Sequence, residues 1–180
     1  AKIWKLTDQQ AADLKASRYL SVRGKVETFN DQLQLGISTF RAVETPANLD
    51  LYIPCFSGDR QAVFTSFREL INCVQNKPLK TLLHRLFKDN VEFRDAYYHA
   101  PAAQFMHHPY RYGLLEHSTE VAALCAAVCE IAPGLSRDLL VTGALLHDVG
   151  KIEELDNSSP AFDLSLEGGF LGHVMLGADL

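Results

Sequence analysis

Residues 136–151, Ser136-Arg137-Asp138-Leu139-Leu140-Val141-Thr142-Gly143-Ala144-Leu145-Leu146-His147-Asp148-Val149-Gly150-Lys151, decide how this chain is read. Leu139, Leu140, Val141, Leu145 and Leu146 form a continuously apolar run, which predicts a buried central helix with Ser136 as its cap. His147 and Asp148 fall in the last turn, where the helix dipole carries partial negative charge and favours a cation. Neighbouring helical residues point about 100° apart, so two of them meet at one point only at a terminus or a bend. Gly150 supplies that terminus, read as a left-handed glycine just past the helix. An imidazole nitrogen and a carboxylate oxygen aimed together suit a divalent ion of the Mn, Fe, Co or Zn kind better than calcium. The competing reading is a core histidine bonded to a carbonyl and an aspartate bonded locally.

The doublet has company. Of seven histidines, five (His107, His108, His117, His147 and His173) lie in one stretch of the C-terminal half. His117 sits on the polar edge of a helix expected from near Tyr112 to about Ala132, with Leu114, Val121, Leu124 and Val128 on its apolar side; Pro133-Gly134 stops that helix. Alone His117 reads as a core histidine, and beside the doublet it reads as a ligand. His173 follows Gly172, whose small size allows close approach. Lys151 is either a plain C-terminal helix cation or a group reaching back to a phosphate oxygen. His107-His108 lies in a loop and either contacts substrate or caps the following helix. His84 and His99 have no comparable context.

The expected fold class is α+β. Residues 1–43 are β-rich, with strands at 2–6, 19–29 and 32–40, a helix capped at Thr7-Asp8 and running through Lys15, and a hairpin turn at Asn30-Asp31. In the second strand Leu20, Val22, Gly24 and Val26 alternate with Ser21, Arg23, Lys25 and Glu27, and in the third Leu33, Leu35 and Ile37 face inward. Residues 44–60 read as a linker anchored by Leu51, Tyr52 and Ile53. Residues 61–180 are helical: one stripe is Val63, Phe67, Leu70, Ile71 and Val74, a second is Leu79, Leu82, Leu83, Leu86 and Phe87, and a third covers 90–98. A polar loop at 152–166 precedes a last helix starting near Phe170.

Composition narrows the class. The 47% hydrophobic content is that of a globular protein, and no window approaches the roughly 18 apolar residues a membrane span needs. Net charge is −5, which argues against a general polyanion binder. Residues 1–60 hold 8 Lys and Arg against 7 Asp and Glu, and residues 61–180 hold 9 against 15. That acidic excess is either a solvated surface or a balance for bound cations. Cys55, Cys73, Cys125 and Cys129 lack a Cys-x-x-Cys spacing, and the last two read as buried thiols on one helix face. A reducing, cytoplasmic setting follows.

His117 and His147-Asp148 resemble the spacing of the HD superfamily of metal-dependent phosphohydrolases. The wider string resembles the YhaM-like 3′–5′ exoribonucleases: Met106-His107-His108, Gly113-Leu114-Leu115-Glu116-His117, Leu146-His147-Asp148-Val149-Gly150-Lys151, Glu167-Gly168 and Leu171-Gly172-His173. That family places an OB-fold ahead of an HD domain. Ala1-Lys2-Ile3-Trp4, the helix, Val22-Arg23-Gly24-Lys25-Val26 and Gln32-Leu33-Gln34-Leu35 look like the second half of such a barrel. The resemblance implies a partial N-terminal OB-fold at 1–43 and an all-α HD domain at 61–180. The first two barrel strands are then expected ahead of Ala1, and the closing metal ligands beyond His173, since Asp179 follows it too soon.

The resemblance further implies a metal-dependent 3′–5′ exonuclease of single-stranded RNA, with DNA as a further substrate. The cofactor is a divalent metal, Mn2+ first, with Mg2+, Co2+, Fe2+ and Zn2+ as alternatives. His117, His147 and Asp148 hold one ion and His173 contributes to a second, supplying an activated water for in-line attack. Asp148 and Lys151 are the catalytic pair, and Lys151, His107, His108, Arg23 and Lys25 face the substrate. Trp4, Tyr19 and Phe29 are available for stacking. The exposed edge of a half-barrel predicts association with a second copy. Two alternatives stand beside this reading: an HD phosphohydrolase of free nucleotides, and a non-catalytic OB-fold protein that binds nucleic acid.

Overall fold

Two compact units, Ala1–Leu49 and Asp50–Leu180, make up the structure, a computed structural model that describes residues 1–3, 5–157 and 161–180. The first unit contains β1 (Lys2–Ile3), α1 (Asp8–Ala16), β2 (Tyr19–Phe29) and β3 (Gln32–Val43). Thr7 Oγ1 accepts from the Gln10 amide at 3.2 Å and Gln10 Oε1 accepts from the Thr7 amide at 3.0 Å, a reciprocal cap that fixes where α1 starts. Asn30 and Asp31 both take positive φ, 50° and 60°, in the turn between β2 and β3.

The sheet runs β1-β3-β2, with β1 parallel and β2 antiparallel to β3. Gly24 pairs with Ile37 but Arg23 pairs with Thr39, so Ser38 is an extra residue in β3. Its hydroxyl donates to the Arg23 carbonyl at 2.9 Å. This bulge changes the phase of β3: Leu33, Leu35 and Ile37 share a face with Phe40 and Ala42, opposite Val26, Val22 and Leu20. The apolar pattern is therefore longer than strict alternation over 32–40 indicated.

The expected OB barrel is not confirmed, because the three strands form an open sheet. Val22, Val26 and Leu33 on the supposed inner face are 41%, 70% and 79% exposed, and α1 buries none of its residues. Three short-range elements bury too little to close a core. The strand expected over 2–6 ends at Ile3; Lys5 takes φ 62°, and Trp4 lies outside the described residues. Of the aromatics considered for stacking, Tyr19 is buried and Phe29 is exposed, with Lys2 Nζ 4.7 Å above its ring.

The second unit contains α2 (Arg60–Cys73), α3 (Lys77–His84), a π turn (Arg85–Asp89), α4 (Val91–His99), α5 (Gly113–Ile131), α6 (Arg137–Leu146), α7 (Lys151–Glu154) and α8 (Leu166–Asp179). Asp59, Asn76, Asn90 and Ser165 cap α2, α3, α4 and α8 through side-chain oxygens. Phe67, Leu83, Phe87, Phe93 and Tyr97 meet Leu114, Leu115, Val141 and Leu145 in one core. Phe67 and Phe87 pack edge to face at 4.9 Å. The Tyr97 hydroxyl, fully buried, donates to the Leu145 carbonyl at 2.8 Å and ties α4 to the end of α6.

Within the stretch expected as a linker, residues from Asp50 onward join this unit. Asp50 accepts from Arg111 Nε at 2.9 Å, Arg60 at 2.6 Å and the Tyr112 hydroxyl at 3.1 Å. Burial opposes its charge, but hydrogen bonds from Arg60, Arg111 and Tyr112 outweigh it and hold the carboxyl at about 2. Ile53 is buried, whereas Leu51 and Tyr52, expected as anchors, are exposed.

Four details of the helical reading change. Leu139 is exposed, so α6 buries one face only. Cys125 and Cys129 are half-buried rather than buried. The loop expected at 152–166 begins with the last residues of α7, and α8 starts at Leu166, four residues early, with a non-helical kink at Gly172 (φ 70°, ψ 161°). Gly150 is right-handed (φ −65°, ψ −8°) and precedes α7 rather than ending a helix in the left-handed region.

Gly150 is required for space. A Cβ there would lie 2.0 Å from the His173 carbonyl oxygen and 2.5 Å from the Gly177 amide. Gly150→Ala should lower stability by about 1–3 kcal/mol in urea melts, as overpacking does. Gly143→Ala, on the exposed face of α6 with nothing within 4 Å, should raise it by about 0.5–1 kcal/mol. Equal effects at the two sites would contradict this packing.

Candidate metal centre

The last turn of α6 tightens as it ends. The Val149 amide reaches the Leu146 carbonyl at 3.1 Å and the Lys151 amide reaches the Asp148 carbonyl at 3.0 Å. Three-residue turns of this kind lead directly from α6 into α7 and leave His147 and Asp148 side by side at the junction. The His147 Nε2 atom lies 3.4 Å from Asp148 Oδ2 and 3.2 Å from His117 Nε2, which α5 supplies; His117 Nε2 is 3.7 Å from Asp148 Oδ2. Lys151 Nζ faces the same oxygen at 3.7 Å. Across the carboxylate, His173 Nε2 from α8 lies 3.3 Å from Oδ1.

The tautomers are constrained by what holds the rings from behind. His147 Nδ1 is 2.8 Å from the Ala144 carbonyl, which only accepts, so Nδ1 carries the proton and Nε2 presents a lone pair. That lone pair looks at a carboxylate oxygen, an arrangement relieved only by a proton or a cation between them. A transition ion bonded at about 2.1 Å places neighbouring ligand atoms about 3.0 Å apart in an octahedral shell and about 3.4 Å in a tetrahedral one. The separations among His117, His147 and Asp148 fall around these values, so the residues fit a divalent ion. His107 also brings a ring nitrogen within 4.8 Å of the ligand atoms of His117 and Asp148. Burial lowers the His117 pKa, with the His147, His107 and His108 rings acting in the same sense against Asp148; the neutral ring is the ligating form.

The structure thus gathers His107, His108, His117, His147, Asp148, Lys151 and His173 in one region. Lys151 does not extend from a left-handed glycine: it opens α7 and is buried against Asp148. His108 takes φ 49° and is clamped, with Nδ1 2.8 Å from Glu116 Oε2 and 2.9 Å from the Tyr110 hydroxyl, and Nε2 3.4 Å from Glu120. Arg23 and Lys25 belong to the other unit, exposed on β2. Sequence reasoning missed Glu154. Its Oε1 accepts from both the His173 amide (2.9 Å) and His173 Nδ1 (3.0 Å), which turns Nε2 toward Asp148. Glu116 and Tyr110 were missed for the same reason, since their partners are set by tertiary packing.

Comparison with known proteins agrees with this architecture. Residues 114–180 match the HD domain family. Over 176 residues, 97% of this chain, the sequence is 27% identical to the 3′–5′ exoribonuclease YhaM of Geobacillus sp. (strain WCH70), covering 53% of that protein. It is 28% identical over 180 residues to YhaM of Bacillus subtilis (strain 168), covering 98% of this chain and 55% of the relative. The Listeria welshimeri protein is 27% identical over 98% of this chain. The chain spans about half the length of the curated relatives it matches. No solved structure matches it. The resemblance to YhaM-like proteins is supported along nearly the whole chain, and its C-terminal part matches the HD domain family.

The lowered His117 pKa has a sign that can be tested. With a folded value below the ordinary 6.5, the folded protein binds fewer protons than the unfolded chain. The stability this contributes is present above pH 6.5 and is lost as pH falls through the folded value. In chelator, melting temperature should fall on acidification below pH 6.5, and His117→Asn should flatten part of that slope. An unchanged slope in the variant would show that His117 does not carry it.

Proposed function

We propose that this chain works as part of a metal-dependent 3′–5′ exonuclease that hydrolyses phosphodiester bonds of single-stranded RNA, and of DNA as a further substrate, releasing nucleoside monophosphates. The convergence of His117 and His147 on Asp148 Oδ2, with His173 on Oδ1, carries the reading. In this assignment His117, His147 and Asp148 would hold one ion, Mn2+ or another of the transition series, and His173 would contribute to a second. A bound divalent ion supplies an activated water near neutral pH and polarises the phosphoryl oxygen. Imidazole-rich donors favour such ions over calcium and magnesium.

The remaining roles belong to the chain itself. Lys151 adds positive charge beside Asp148, where charge develops on the phosphate. His108, locked by Glu116 and Tyr110, presents a fixed edge to the substrate, and His107 reaches toward the metal ligands. Arg23 and Lys25 take phosphates of the incoming strand, and the long edge strand β2 offers a surface for a second copy. The setting is cytoplasmic; among the described residues no helix is long and apolar enough to cross a membrane.

His147→Ala or Asp148→Ala should abolish release of mononucleotides from a uniformly labelled single strand, while circular dichroism stays near wild type. A protein that cleaves free nucleotides and leaves the strand intact would favour the nucleotide-hydrolase alternative, and a gel shift without cutting would favour the binding-only one.

Reversing Arg23 and Lys25 to Glu should weaken strand binding and flatten its salt dependence, since each lost phosphate contact removes about 0.7 from the log–log slope on single strands. An unchanged slope would place strand guidance elsewhere.

A further inference from the structure

A hollow of about 490 Å3 opens between α2, the end of α3 with its π turn, and α4, in residues that precede the HD match. Its floor is apolar and aromatic: Phe64, Leu83, Phe87 and Tyr98. Its rim carries Arg68, Lys88 and Arg94 against one acid, Asp95. This local excess of positive charge stands out in a chain of net charge −5.

The rim cations are not equally committed. Arg94 pairs with Asp95 at 3.1 Å. Arg68 Nε donates to the Phe64 carbonyl at 3.1 Å, which fixes the stem of the side chain on α2. Lys88 has no polar partner among the described residues. The π turn places it there: the Asn90 amide bonds the Arg85 carbonyl five residues back at 3.1 Å. The extra residue turns Phe87 inward and leaves Lys88 at the mouth. Such insertions recur at functional sites.

We propose that this hollow binds a nucleotide, with the aromatic base on the Phe64–Tyr98 side and the phosphate at Arg68 and Lys88. The volume is that of a small-ligand cleft, mostly apolar with a few convergent polar groups. A purely aliphatic ligand leaves the rim cations without a purpose, and a bare phosphate leaves the aromatic floor unused. A metal ion is disfavoured by the single carboxylate. The nucleotide is either free or the unit of a strand, and both carry the same ring and phosphate. The proposal does not rest on the activity assigned to the metal centre.

The test uses 5′-AMP and a fluorescein-labelled 20-mer of riboadenosine, titrated onto the whole chain in EDTA. AMP should bind saturably and keep its affinity in His147→Ala. It should lose about tenfold per removed cation contact in Arg68→Glu/Lys88→Glu, and adenosine should bind at least about tenfold more weakly than AMP. Dependence of the 20-mer, but not AMP, on Arg68 and Lys88 would support the site and identify the strand as occupant. Equal affinity for adenosine and AMP, or binding of both ligands indifferent to the double variant, would overturn it. If charge reversal lowers the melting temperature, Arg68→Gln/Lys88→Gln makes the same comparison.

Discussion

The Asp148 carboxylate is the group on which the side chains of the candidate site converge. It is 7% exposed, yet it faces three imidazoles and an ammonium supplied by α5, the α6–α7 junction, α7 and α8. A buried carboxylate without compensation costs several kcal/mol, so the helices must deliver those partners together. The two oxygens divide the work: Oδ2 meets His117, His147 and Lys151, and Oδ1 meets His173. That division links two groups of donors through one side chain and gives the site its two-sided character.

Delivery is the task of the core behind the site. Tyr97 reaches from α4 to the Leu145 carbonyl, two residues before His147, so the aromatic cluster of Phe67, Phe87 and Phe93 sets where α6 ends. The loop ahead of α5 is stitched at both sides: the Leu114 amide bonds the Ala100 carbonyl, and the Arg111 amide bonds the Pro54 carbonyl. Asp50 then holds Arg111 and Tyr112 in place at the start of α5. His117 is thus positioned by contacts that begin more than sixty residues earlier in the chain.

What could be read in the sequence was what local chemistry encodes. Thr7-Asp8 marked the start of α1, the alternation over 19–29 marked β2 end to end, and the apolar run into His147-Asp148 marked the metal-binding candidate. What could not be read depends on partners far along the chain. Gly150 looked like a helix-stopping glycine because its sequence context is that of one; its actual constraint is the His173 carbonyl oxygen, which a Cβ at 150 would meet at 2.0 Å, visible only once α8 is in place. Ser38 looked like an outward residue of a regular strand because nothing local announces a bulge. Glu154 carries no motif at all, and its importance comes from meeting both the backbone amide and the ring Nδ1 of His173.

The kink in α8 shows how these long-range terms combine. Gly172 leaves helical geometry, which frees the His173 amide from a partner four residues back. Glu154 Oε1 takes that amide and the adjacent ring nitrogen together. One carboxylate therefore repairs the backbone break and orients the ring. Gly150, with no Cβ, lets the α6–α7 junction approach the His173 carbonyl closely enough for Nε2 to reach Asp148. A residue with any side chain at 150 pushes α8 away, and a straight helix at 172 turns the ring elsewhere. The approach of His173 to Asp148 is the joint product of two glycines and one glutamate, which act on the candidate site through the ring they place.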